Sequence, residues 1–171
     1  MKTWGEFSVA APALAAVGRA QLYQWNIGLA FLATVRADGG PRVHPVCPVI
    51  TPGDDTDDGE LFVMINPGPK QRDLLRDGRY ALHGETFAPP RHDDGFYLTG
   101  RARPVTDDAC RARFVAQLHA ERDPAAPAWV PSEADVLFEL LIDTALLMLT
   151  TASDDFPAGP TVWKASDQAT A

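Results

Sequence analysis

Positive charge, cysteine, histidine and long apolar runs are all scarce in this chain. Fifteen Lys and Arg stand against 23 Asp and Glu, a formal net charge of −8. That balance removes the broad basic face a nucleic-acid or anionic-membrane partner would need. No apolar run approaches the ~18 residues needed to span a bilayer. The N-terminal stretch carries Glu6 and Arg19 in place of the clean apolar segment of a signal peptide, so a cytoplasmic protein is expected. The two cysteines, Cys47 and Cys110, allow one disulfide at most and read as reduced thiols. His44, His83, His92 and His119 share no metal-type spacing with one another or with the cysteines, so no metal site is expected. The two commonest nucleotide loops, G-x-G-x-x-G and G-x-x-x-x-G-K-[ST], are missing. So is G-x-S-x-G, and Ser8, Ser132, Ser153 and Ser166 fall in loops or ends, which argues against a serine hydrolase. Cys47 lies in an apolar strand without a neighbouring base to activate it. A calcium loop fails as well. In TPGDDTDDG the ligand positions fall on Thr56 and Ile65, which leaves a solvated hairpin loop.

What remains is rich in β-type runs. Pro12 to about Gln24 reads as a helix stopped by Gly28, with Leu14, Val17 and Leu22 on one face. Trp4, Phe7 and Trp25 flank it, so residues 1–28 form a helical segment docked on the rest. Leu29–Val35 is apolar on both faces and reads as a strand covered on both sides. After Asp38-Gly39-Gly40 a second strand runs to Ile50. Its Pro45 and Pro48 have opposite parity, so it must be an edge, bulged, or paired on one side only. ELFVMI, Arg79–Glu85 and Gly95–Val105 are the next three strands, with a bend or bulge at Gly100. Asp107–Arg122 is a helix with Cys110, Phe114 and Leu118 at steps of four. VLFELLIDTALLMLTT gives one long bent strand, or two meeting at Asp143-Thr144. A short strand follows around Val162-Trp163-Lys164, and 165–171 read as a disordered tail. Six or seven strands, with helices only at the ends and crossovers, predict a mainly β (α+β) fold. The expected architecture is a closed or split antiparallel barrel with flanking helices, one domain over 1–171.

Between the third and fourth strands, NPGPKQRDLLRDG is a turn feeding a short helix. Gly68 suits the N-cap, Pro69 the first helical position and Gly78 a left-handed stop. Lys70 and Arg72 then occupy the first turn, where the helix dipole makes a cation cost roughly a few tenths of a kcal/mol. A phosphate held between the helix start and both side chains would offset that cost. The alternative is a pair of exposed cations answering Asp73, Asp77 or the acidic loop. His44 is either a half-exposed strand residue or a group facing a cofactor, and it is the one side chain read as an acid–base candidate. The proline-interrupted strand also offers free backbone groups to a flat, hydrogen-bonding ring.

The runs ATVRADGGPRVHPVCPVI, LFVMINPGPKQRDLLRDGRYALH, FYLTGRARPV, LFELLID and VWKA occur in that order over roughly residues 12–165. Together they resemble the pyridoxamine 5′-phosphate oxidase-like, FMN-binding split-barrel superfamily. The resemblance implies a split β-barrel of six or seven strands that forms a homodimer with two equivalent sites at the subunit interface. It implies an FMN-dependent oxidoreductase acting on a small molecule. Arg42, Val43, His44, Pro45 and Val46 would line the flavin ring, and Met64 and Ile65 would lie against the ring or ribityl chain. Lys70 and Arg72 would bind the phosphate, and Trp163 would approach from the partner subunit. Cys47 stands where the biosynthetic oxidases carry a basic residue, and Gly95 where they carry a glutamine. Only Lys164 follows Trp163 in place of their C-terminal basic motif, so oxidation of pyridoxamine phosphate itself is not expected. The alternatives within the superfamily are use of the deazaflavin F420, and binding of flavin or haem without turnover. Arg36, Arg42, Lys70, Arg72 and Arg76 would supply the wider basic groove that the acidic tail of F420 wants.

Overall fold

The computed structural model describes residues 1–171 except 54–58, 92, 123–124, 126–128 and 169–171. The chain begins with two helices, α1 (Trp4–Ala10) and α2 (Pro12–Leu22). Strands β1 (Ala30–Val35), β2 (Pro41–Val46), β3 (Val49–Ile50) and β4 (Leu61–Ile65) lead to helix α3 (Pro69–Arg76). Then come β5 (Arg79–Gly84), β6 (Gly95–Val105), α4 (Asp108–Glu121), β7 (Val136–Leu149) and β8 (Gly159–Lys164). Among the described residues the strands form one antiparallel sheet in the order β2-β1-β5-β6-β7-β4-β3, with β8 also on β7. The long strand β7 pairs with β4 through Phe62↔Glu139 and its neighbours, and with β8 through Thr144↔Lys164 and its neighbours. One edge of β7 is therefore shared between two shorter strands, β4 and β8. This is a mainly β, α+β split-barrel fold with flanking helices.

Eight strands form where six or seven were expected. The run from Arg42 to Ile50 breaks at Cys47-Pro48, and its end becomes β3, paired with β4 instead of β1. β2 is one edge of the sheet and, among the described residues, pairs only with β1, as its prolines require. β1 is not covered on both faces: its burial alternates, and Phe31 is 41% exposed. VLFELLIDTALLMLTT is one strand, not two. Its register against β6 shifts at Thr99/Gly100, where Asp143 is the extra residue. A Cβ on Gly100 would come within 1.9 Å of the Leu141 carbonyl oxygen, so the bulge needs glycine there.

Helix α1 was not foreseen. Thr3 caps it, accepting from Glu6 N at 3.2 Å while Glu6 accepts from Thr3 N at 2.9 Å. Trp4 and Phe7 are fully buried and join Leu14, Leu22, Leu32, Leu82 and Ile142 in the main core, so α1 and α2 are docked on the barrel. Trp25 does not dock there and is 65% exposed. The tail from Ala165 starts as a 3-10 turn, Ala165–Gln168, with Ala165 buried. α4 covers a smaller core, placing Phe114 and Leu118 on Val49, Phe62 and Leu137. Asp54 to Asp58 of the acidic loop lie outside the described residues. Among the described residues no helix is long and apolar enough to cross a membrane.

Register fixes which residues share a face, because directly paired residues point the same way. Pro45, Phe31, His83, Tyr97, Leu146 and Val162 form one continuous row across six strands. This row faces outward, with Phe31, Tyr97 and Val162 all exposed. The adjacent row on the inner face runs His44, Leu32, Leu82, Leu98, Ala145, Trp163. Every member of it except His44 is buried.

Candidate functional site

A cleft of about 270 Å³ opens between the β2 edge, the end of β4, the start of α3 and the flank of α4. Pro45, Val46, Met64 and Lys70 line it. The turn that presents Lys70 is built by burial and hydrogen bonding. Gln71 is buried, and its Nε2 donates to the carbonyls of Ile65 and Ala134, each at 2.9 Å. Asn66 Nδ2 donates to Asp135 Oδ1 at 3.1 Å. Gly68 brings no side-chain acceptor to the helix start, so the first-turn N–H groups have no capping side chain. Pro69 at the first position needs none.

Lys70 has no hydrogen bond or ion pair among the described residues. Burial lowers its pKa, an effect the Cys47 thiol opposes. A half-buried ammonium without an anion beside it is costly to keep, and it is the arrangement expected where the anion is a ligand. His44 sits nearby. Burial lowers its pKa first, and the charges of Lys70 and Arg42 lower it further, so the neutral imidazole is favoured. Its Nε2 is a buried atom with no partner among the described residues.

The edge backbone is the third component. Arg36 N donates to Gly40 O at 2.9 Å, so in the β1–β2 ladder the hydrogen-bonded pairs are Thr34↔Arg42 and Leu32↔His44. The backbone groups of Pro41, Val43 and Pro45 point away from β1, to the free edge. Since proline lacks an N–H, that edge offers three carbonyls and a single donor, Val43 N–H.

The side chains of the remaining site residues named from the sequence lie elsewhere. Lys70 and Arg72 were expected to share one anion, but they line different cavities. They are two residues apart, so they leave the helix in nearly opposite directions. Arg72 lines a second pocket of about 460 Å³ with Arg36, Arg42 and Arg76. Arg42 is held there by buried Asp73, Nε to Oδ2 at 2.7 Å. Arg76 Nη1 donates to Asp73 Oδ1 at 3.2 Å, and Thr34 Oγ1 donates to Oδ2 at 3.2 Å. Val43 is outward-facing and 61% exposed. Ile65 is fully buried and faces the core. Trp163 is at the far end of the inner row from His44. It packs on Phe7 with ring centroids 4.9 Å apart.

The sequence reading missed the opposite wall of the cleft: Phe114, Leu118, Arg122 and Trp129. Phe114 and Leu118 carried a helical core signal and nothing more. Arg122 and Trp129 flank a Pro/Ala-rich loop, where no pattern marks a wall. Among the described residues no group of three or more His, Cys, Asp or Glu is placed to hold a metal, and Cys47 and Cys110 are free thiols.

A family model described as pyridoxamine 5′-phosphate oxidase matches residues 20–148. Among solved structures, a protein related to general stress protein 26 from Clostridium acetobutylicum, of the pyridoxinephosphate oxidase family, has a TM-score of 0.59 at 9% identity. The match covers 89% of this chain and 94% of that one. A haem-binding protein from Mycobacterium smegmatis has a TM-score of 0.63 at 16% identity, over 87% of this chain. This chain spans only 57% of that protein's length. HutZ, the haem storage protein from Vibrio cholerae, has a TM-score of 0.58 at 16% identity, over 78% of this chain and 89% of that one. At such identities the likeness is one of fold. No curated protein matches the chain.

Proposed function

The chain belongs to the pyridoxamine 5′-phosphate oxidase family, and on that premise we propose that it is a cytoplasmic, homodimeric FMN-binding oxidoreductase acting on a small molecule. The observation that carries this reading is Lys70, an unpaired, half-buried cation at an uncapped helix start, beside a strand edge with free backbone groups. The phosphate end of FMN takes Lys70 and the first-turn N–H groups. The ring lies against Pro45, Val46 and Met64, with Val43 N–H and the flanking carbonyls as its polar contacts. Bound FMN supplies the electron-transfer chemistry, while the protein orients it and excludes water.

A cleft of about 270 Å³ is small beside the roughly 300–1,000 Å³ of ordinary ligand sites. A second subunit would complete it. Pro45 belongs both to the cleft wall and to the outward apolar row, so a copy packed on that row reaches the cleft rim. Trp163 is buried in its own core, on the face opposite that row.

Two other readings have their own support. The pocket holding Arg36, Arg42, Arg72 and Arg76 favours a cofactor with a longer anionic tail, such as F420. The unpartnered Nε2 of His44, together with haem-binding and haem-storing proteins among the structural neighbours, favours a non-catalytic carrier of haem. An absorption spectrum and mass measurement of the co-purifying molecule, followed by titration with FMN, F420 and haem, separates the three. FMN binding that fails to weaken in Lys70→Met overturns the proposed site.

A further inference from the structure

Among the described residues the cleft lining has two cations and no carboxylate, in a chain whose net charge is −8. Lys70 is one. The other is Arg122, which has no side-chain partner among the described residues. Both charges act on the Cys47 thiol in the cleft wall and pull its pKa down, Glu121 acts in the opposite sense, and desolvation outweighs the cations so that the pKa is raised. Of the two acids beside Arg122 in sequence, Asp123 lies outside the described residues and Glu121 is engaged by other groups. Glu121 Oε1 accepts from Tyr23 Oη at 3.1 Å and from Gln117 Nε2 at 2.9 Å. Tyr23 Oη in turn accepts from Ile50 N at 2.8 Å, which ties α2, β3 and α4 together. The same contacts therefore fix the end of α4 and, among the described residues, leave the Arg122 side chain without an acidic partner. Beside Arg122 the wall is apolar: Phe114 and Leu118 on α4, and Trp129 beyond it. Trp129 is anchored through its carbonyl to His119 Nε2 at 2.7 Å.

We infer that the α4 side of the cleft is the substrate subsite, built for a planar apolar molecule bearing one carboxylate, with Arg122 as the anion partner. As a substrate site it rests on the cofactor reading above, in which Lys70 is taken by the phosphate. Arg122 is then the cation left for a second anion. Its fork of donors suits a carboxylate held in two hydrogen bonds. The aromatic and aliphatic wall suits the flat body of the ligand.

The test uses the full-length protein and two probes of equal shape, trans-cinnamate and cinnamamide, titrated by calorimetry with and without FMN. Cinnamate should bind saturably and at least about tenfold more tightly than the amide, the usual worth of a charged hydrogen-bonded contact. Arg122→Gln should bring cinnamate down to the amide's affinity and leave the amide unchanged. Trp129→Ala should weaken both probes together. Equal affinity for acid and amide, no saturable binding of either, or an Arg122→Gln protein that still prefers the acid would each overturn the subsite. The cofactor reading fails separately. If FMN does not bind but cinnamate still depends on Arg122, the subsite stands and the flavin assignment falls.

Discussion

Arg42 and Asp73 are joined by a 2.7 Å hydrogen bond between Nε and Oδ2, which ties the edge strand β2 to helix α3. Asp73 also answers Arg76 and Thr34, while its own exposure is only 4%. This carboxylate thus fixes the angle at which the helix start meets the strand edge. Asp73→Ala should cost about 3 kcal/mol, because it leaves arginines half-buried without their counter-charge. Urea unfolding measures it. Burial pushes the Asp73 pKa up, but the hydrogen bonds from Arg42, Arg76 and Thr34 outweigh it and hold the carboxyl below 3.8. Its contribution is therefore complete above that value and lost as pH falls through the lower folded value. Asp73→Asn should flatten that acid limb of the stability profile.

Lys70 offers the opposite case. It has no intramolecular partner among the described residues, so Lys70→Met should not lower stability, because it removes the burial cost of the charge. The same substitution should weaken FMN binding about tenfold to a hundredfold, the range expected for a lost charged hydrogen bond. Thermal unfolding and flavin fluorescence titration on one preparation check both halves.

Gly100 sits against the Leu141 carbonyl, with 1.9 Å to a would-be Cβ. Gly100→Val should destabilise by more than about 2 kcal/mol, since neither backbone can withdraw without breaking the β6–β7 ladder. Gly39, where nothing lies within 4 Å, is a control for crowding. Its φ of +83° still disfavours a side chain, so Gly39→Asn is the milder choice. Chemical denaturation ranks the two.

The outward row through Phe31, Tyr97 and Val162 is predicted to be the dimer face. A charge in its middle, Tyr97→Glu, should convert the dimer to monomer in sedimentation velocity. FMN affinity should fall with it, because the cleft loses its second half. A monomeric variant with full FMN affinity would detach the site from the interface.

Much of this fold is legible in the sequence alone. Pro45 and Pro48 placed an edge strand, Gly100 a bulge, and Gly68-Pro69 with Gly78 the limits of a short helix. These positions are readable because proline and glycine act locally. The strand count came out low because the break at Cys47-Pro48 transfers Val49 and Ile50 to another neighbour, a pairing that local sequence does not encode. Helix α1 is stabilised by burying Trp4 and Phe7 against the barrel, again a long-range effect. The cleft was legible on the side of β2, β4 and α3. Its other wall was not, because Phe114 and Leu118 look the same whether they fill a core or border a cleft. The divergence of Lys70 and Arg72 was readable from their spacing alone.

The alternation of prolines on β2 has a further consequence for the behaviour of the protein at high concentration. An open sheet edge is a template on which other chains can stack, and that is how fibrils begin. Here Pro41 and Pro45 strip the outer rim of all but one donor, so a foreign strand finds almost nothing to zip onto. The margin that can receive a ring with a few polar atoms is thereby kept from growing into an aggregate.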